Sequence, residues 1–178
     1  MKRLLAMILV FALCLALPSV QASDLGPTEG KCGTRLTWTI DEEGVLTIAG
    51  TGAMSDYSSD SGAPWELRKS AITKVVVGGG ATSVGSCAFQ GCGNLTEVEL
   101  SGSVKRIGNN CFTNCDRLTE VALPEGLYSI GNSAFYGCDN LASVALPEGL
   151  TRIEDYAFVD CDRLTGIVLP DTVTSLGS

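Results

Sequence analysis

A strict 23-residue period governs this chain. From Ile72 onward it divides without gaps into ITKVVVGGGATSVGSCAFQGCGN, LTEVELSGSVKRIGNNCFTNCDR, LTEVALPEGLYSIGNSAFYGCDN and LASVALPEGLTRIEDYAFVDCDR. A fifth unit, LTGIVLPDTVTSLGS, runs from Leu164 to Ser178. Leu95, Leu118, Leu141 and Leu164 open units two to five, and Val98, Val121, Val144 and Ile167 follow three residues later. Phe89, Phe112, Phe135 and Phe158 form one further column, and Cys92, Cys115, Cys138 and Cys161 another. Repetition at this period implies stacked supersecondary units, because a single unit this short cannot bury its apolar side alone.

The segment L-x-x-V-x-L alternates as an extended strand does, with its apolar side chains on one face. Pro124, Pro147 and Pro170 end that strand and turn the chain, and Gly126 and Gly149 suit the turn. A second extended piece, such as Leu127 to Ile130, returns across the other side. Ser133 to Cys138 reads as one short helical turn with Phe135 pointing inward. The expected fold is a repeat solenoid, mainly β with short helical turns, with four full repeats and a partial fifth over residues 72–178.

The front of the chain reads differently. Lys2 and Arg3 precede an unbroken apolar run from Leu4 to Leu17, then Val20-Gln21-Ala22. This is the layout of a secretory signal peptide over residues 1–22, and the run is short for a membrane span. Residues 23–71 carry a hairpin pattern. Leu36, Trp38 and Ile40 alternate with polar residues, Asp41 to Gly44 supplies the turn, and Leu46 and Ile48 alternate again. Ala63 to Arg68 reads as a helical turn with Pro64 in its first position. Since the first coil of a stack exposes an apolar end, this segment is expected to cap it. Trp38 and Trp65 belong to that cap, and sugar stacking is the competing reading for them.

These columns carry a resemblance. The pattern L-x-x-V-x-L-P followed by I-G-x-x-A-F-x-x-C resembles the BspA-like leucine-rich repeat of bacterial surface proteins, from Ile72 to the end. The resemblance implies a curved solenoid with a parallel sheet on its concave side, and a role in surface adhesion or protein binding. The chain departs from the pattern at Gly78 to Gly80 and Ser101, which stand where later units have the proline region, and at Cys111, which replaces the alanine before phenylalanine.

Composition narrows the function. The chain has no histidine, so the commonest general base near neutral pH and the usual nitrogen ligand for zinc are both missing. No S-x-x-K or G-x-S-x-G occurs. Gly78 to Gly80 lack the G-K-[ST] ending of a phosphate-binding loop. Asp41/Glu42/Glu43 and Glu154/Asp155 read as solvated turns, and Asp160 and Asp162 as turn residues without a calcium-loop pattern. No enzyme activity, cofactor or metal is expected.

After residue 22 there remain ten basic and 20 acidic residues, a net charge of −10. Such a surface disfavours nucleic acid, and no basic patch for an anionic membrane stands out along the sequence. Eight cysteines, one of them in the leader, leave an odd number for pairing. The column of Cys92, Cys115, Cys138 and Cys161 reads as buried small side chains. For Cys32 no pairing is assigned. Cys87 and Cys111 lie off the column in neighbouring coils, where a disulfide between them is one reading and free thiols the other.

The candidate binding face is the outward side of the concave strands: Thr96, Glu97, Glu99, Thr119, Glu120, Ala122, Ser143, Ala145, Thr165 and Val168. Being small, polar or acidic, it suits a basic or flat protein partner. The expected function is a secreted or cell-surface module for protein binding or adhesion, and the alternative is a non-catalytic spacer in a larger secreted protein. The fifth unit stops before its Phe and Cys columns, so a fragment of a longer, multi-module protein is expected.

Overall fold

Alternation along each repeat makes one face of every strand apolar, and two sheets built from such strands close over one core. The computed structural model describes residues 26–178. The expected leader, residues 1–22, lies outside them. The front sheet has seven strands in the order β1 (Glu29–Lys31), β2 (Leu36–Ile40), β3 (Val45–Gly50), β5 (Lys74–Val77), β7 (Glu97–Leu100), β9 (Glu120–Ala122) and β11 (Ser143–Ala145). The return sheet has six, in the order β4 (Gly52–Ala53), β6 (Ala81–Val84), β8 (Arg106–Ile107), β10 (Ser129–Ile130), β12 (Arg152–Ile153) and β13 (Ser175–Leu176). From β3 onward every pairing in the front sheet is parallel, and so is every pairing in the return sheet. The chain is a β-solenoid whose coils follow one another at the 23-residue spacing that the repeats require.

A third side of each coil is also hydrogen-bonded to its neighbour, although it contains no strand. The N–H groups of Cys87, Phe89 and Gly91 donate to the carbonyls of Asn109, Cys111 and Thr113 at 2.8, 2.9 and 2.8 Å. The same trio recurs at Asn110, Phe112 and Asn114, and again at Ser133, Phe135 and Gly137. This is where a short helical turn was expected, and the backbone shows why successive turns form instead. Ser133 and Gly137 are left-handed, with φ of 52° and 67°. So are Asn110 and Asn114 in the preceding coil, at 52° and 57°. A left-handed residue interrupts a right-handed helix, at a cost of roughly 1–2 kcal/mol for side chains other than glycine. The inter-coil hydrogen bonds offset that cost by satisfying backbone groups that would otherwise be buried unpaired.

The core is a set of columns one residue wide. Rings of Phe89, Phe112, Phe135 and Phe158 stack at centroid distances of 5.4, 5.3 and 5.3 Å, with interplanar angles of 16° or less. Trp65 begins this ladder, stacked on Phe89 at 5.4 Å and 17°, with its indole N–H donating to the Ala88 carbonyl at 2.8 Å. Beside the rings runs the cysteine column. The thiols of Cys115, Cys138 and Cys161 point at the carbonyls of Phe89, Phe112 and Phe135 in the coil before, at 3.3, 3.1 and 3.1 Å. A thiol is a weak donor but small enough to fit between coils about 4.8 Å apart.

The segment before Ile72 joins the stack. β2 and β3 form the expected antiparallel hairpin, with Trp38 opposite Ile48. β3 then pairs parallel with β5, Val45 lying beside Lys74, and β4 pairs with β6. Residues 45–71 thus make a coil of their own, closed by the 3-10 helix Glu66–Ala71. This helix starts after Trp65, later than the Pro64-led turn read from sequence. At the other end the front sheet stops at β11, and residues 164–169 are not a strand. Gly166 stands where earlier coils have Glu97, Glu120 and Ser143, and glycine weakens extended structure.

The aromatic ladder sets an expected stability pattern. Phe112→Ala, which empties a fully buried slot between two rings, should cost roughly 3–5 kcal/mol in urea unfolding. Phe158→Ala removes a partly exposed ring stacked on only one described neighbour and should cost clearly less.

Candidate functional site

The front sheet's outer face follows from strand parity. In β7 Val98 is buried while Glu97 and Glu99 point to solvent, and in β9 Val121 is buried between Glu120 and Ala122. In β11 Ser143 and Ala145 are the exposed pair. Parallel register places these side chains in two rows. One runs Val76, Glu99, Ala122 and Ala145, and the other carries Lys74 beside Glu97 and Glu120 beside Ser143. Of these, Glu97, Glu99, Glu120, Ala122, Ser143 and Ala145 line a shallow depression of about 590 Å3 together with Thr96 and Thr119, and Lys74 and Val76 lie beyond its edge on β5. Eight of the ten residues expected on this face therefore share one trough.

Thr165 and Val168 do not sit on the sheet, because the strand they were expected to occupy does not form. They border a second depression of about 660 Å3, which they share with Ser143 and Ala145. Val168 is 87% exposed, as a side chain with no strand around it must be.

Reading the sequence strand by strand misses Lys74. It occupies the same phase as Glu97, Glu120 and Ser143, so the repeat period is the signal that places it on the face. Its ammonium lies 2.9 Å from Glu97 and 2.5 Å from Glu99. Like charges side by side on a sheet repel, and a cation at the end of the row offsets part of that. The hydrogen bond from Lys74 holds the Glu99 carboxyl below the ordinary carboxylate range. In turn Glu99, then Glu97, raise the Lys74 ammonium above its usual value. The trough thus has Glu97 and Glu99 neutralised by Lys74 at its β7 end, the carboxylate of Glu120 in the middle, and uncharged Ser143 and Ala145 beyond. Its outward groups are therefore one free carboxylate and several hydroxyls beside a lysine-bound carboxylate pair.

The cysteines lie elsewhere. Cys92, Cys115, Cys138 and Cys161 are all buried in the core. Burial pushes the thiols of Cys92 and Cys138 up to about 12, and that of Cys161 to about 11. Cys87 and Cys111 are both free thiols, the first partly exposed and the second fully buried in the column of Ala88, Ala134 and Ala157. Among the described residues no cluster of three or more cysteine, aspartate or glutamate side chains could hold a metal, and no helix is long and apolar enough to cross a membrane.

A two-sheet stack of short, equal coils with a phenylalanine ladder and a cysteine column is the architecture of a leucine-rich-repeat solenoid. The profile of the BspA type leucine rich repeat region (6 copies) matches residues 67–178, and the chain belongs to that family. It is similar in structure to a leucine-rich repeat protein from Eubacterium ventriosum, at 27% identity and a TM-score of 0.60. That likeness covers 76% of this chain and 42% of the other, so the chain spans less than half the length of that protein. It also shares its fold with the leucine rich repeat protein of T. pallidum, at 23% identity and a TM-score of 0.57, over 83% of this chain and 81% of that one. No curated protein matches it in sequence.

Two measurements check these assignments. In a carboxyl NMR titration the Glu99 midpoint should rise toward the ordinary glutamate value in Lys74→Gln. The sign follows from the depressed carboxyl: its interaction with Lys74 is present above the ordinary glutamate range and fades as pH falls through the lowered value. Alkylation of the native protein at mildly alkaline pH should label Cys87 first. The buried cysteines should react only as the stack unfolds, because the thiolate is the attacking form and burial disfavours it.

Proposed function

We propose that this chain is a non-catalytic binding module of a secreted or cell-surface bacterial protein, and that its front trough takes a protein partner through exposed basic side chains. The observation that carries this reading is the continuous row of outward carboxylates and hydroxyls across β7, β9 and β11, unbroken by any loop. A parallel stack holds such groups at a fixed spacing, so little order is lost when a partner docks. The absence of histidine from the sequence and the inward position of the cysteine column favour binding over catalysis. The signal-like leader favours export. We further propose that residues 23–71 serve as the cap of the stack, with β1 and β2 covering its N-terminal end.

The test is charge reversal. With Glu97, Glu99 and Glu120 all changed to lysine, capture of a partner from host or neighbouring-cell extract should fall by about tenfold or more, as expected when close charge pairs are lost. The wild-type capture should weaken with added salt. A module acting only as a spacer shows no specific capture to lose, and that result overturns the proposal.

A further inference from the structure

The return sheet carries the opposite charge. Its strands align Ser83, Arg106, Ser129 and Arg152 in one row, each beside the next. Lys105 and Tyr128 lie on the two adjacent rungs next to that row, joined by the hydrogen bond from the Tyr128 N–H to the Lys105 carbonyl at 3.0 Å. Three of the ten basic residues after the leader are thus gathered on one small surface, although Arg152 is far from the other two in sequence. No run of basic residues announces this patch, because the fold assembles it from separate coils.

The cations are only loosely engaged. Arg106 approaches Asp56 at 3.8 Å and Arg152 approaches Glu154 at 3.9 Å, both beyond hydrogen-bond length. The Asp56 carboxylate is already committed to the Ser86 N–H at 2.7 Å. Lys105 is exposed and makes no ion pair among the described residues. In the same row the Ser83 hydroxyl is buried without a hydrogen-bond partner. Tyr128 is 49% exposed, large for an aromatic side chain in the middle of a stack. Two arginines held only by long ion pairs and an unpaired lysine, beside an open ring, leave room for an external anion at hydrogen-bond distance.

We propose that this face binds a linear anionic polysaccharide, with Arg106 and Arg152 contacting successive acidic groups and Tyr128 packing against a sugar ring between them. The two arginines are two rungs apart, roughly 9–10 Å by the inter-strand spacing. That separation suits charges repeated along an extended polymer better than a single small anion. The exposed ring between them favours a glycan over an acidic peptide, since the flat apolar face of a pyranose packs on an aromatic side chain. The acidic front trough cannot serve such a ligand, so the two faces have different partners.

The experiment uses the full chain after leader removal and immobilised heparin, polygalacturonate and neutral dextran. Binding to heparin, polygalacturonate or both, with none to dextran and a steep loss on adding salt, supports the proposal and tells sulfate from carboxylate recognition. Arg106→Gln and Arg152→Gln should each weaken that binding by about tenfold, the size of one lost charge-assisted contact. Tyr128→Ala should weaken it severalfold, and Tyr128→Phe should leave it unchanged. Thermal unfolding of each variant separates loss of the contact from loss of the fold. The proposal is overturned if the glutamine variants bind as wild type does while folded, or if dextran binds equally. Equal binding to polyglutamate, or no effect of Tyr128→Ala, likewise overturns it, since the partner would then be recognised by charge alone.

Discussion

Hydrogen bonds between coils are the constraint from which the other features follow. Each coil offers its neighbour peptide groups on three sides: the front strands, the return strands, and the left-handed turns around the phenylalanines. For all three ladders to close together, successive coils must be nearly identical in length and path. An insertion inside a laddered segment would shift that ladder out of register and leave buried peptide groups unpaired, whereas the extra residues of the first coil are confined to the loop after β4. The strict phase of the repeat is the sequence's answer to that requirement. Stacked rings and aligned cysteines are consequences, because equal paths put equal positions directly above one another.

Alignment of this kind makes surface as well as core. A residue's phase decides its face, and its repeat number decides its rung, so charge laid out in phase becomes a stripe in space. Lys74, Glu97 and Glu120 share one phase and form a short electrostatic sequence on the front sheet. Arg106 and Arg152 share another and meet across the return sheet, with Ser129 between them. The overall charge of −8 describes neither surface well. Averaging over the chain hides a face of each sign, and it is the faces that meet partners.

Most of the fold was legible because its logic is local and repeated. The strands, the inward phenylalanines and the buried cysteine column could each be read from four copies of the same pattern, and the proline turns from three. The first coil was harder. Val45 pairs with Lys74, a longer step than the one from Lys74 to Glu97, and the coil's ladder aromatic is Trp65 in place of phenylalanine. The longer loop that follows β4 breaks the phase, so the segment reads as a separate hairpin even though its second strand is a rung of the stack. The last front strand erred in the other direction. LTGIVL fits the column pattern, yet Gly166 stands at an outward strand position and residues 164–169 are irregular among the described residues. Pattern records which residues could form a rung, and pairing decides whether they do.

The trough was legible in outline and incomplete in its electrostatics, for a related reason. Reading outward positions strand by strand found the carboxylates of β7 and β9, because their repeats match the consensus. It passed over β5, whose Lys-Val-Val-Val run looks like a buried strand. Parity shows that Lys74 and Val76 face outward while Val75 and Val77 are buried. That one cation changes what the face can bind. With Glu97 and Glu99 held by Lys74, the carboxylate most available to a partner is Glu120, at the centre of the depression. A basic group arriving there meets one unpaired anion flanked by hydroxyls, while one arriving at β5 meets a lysine.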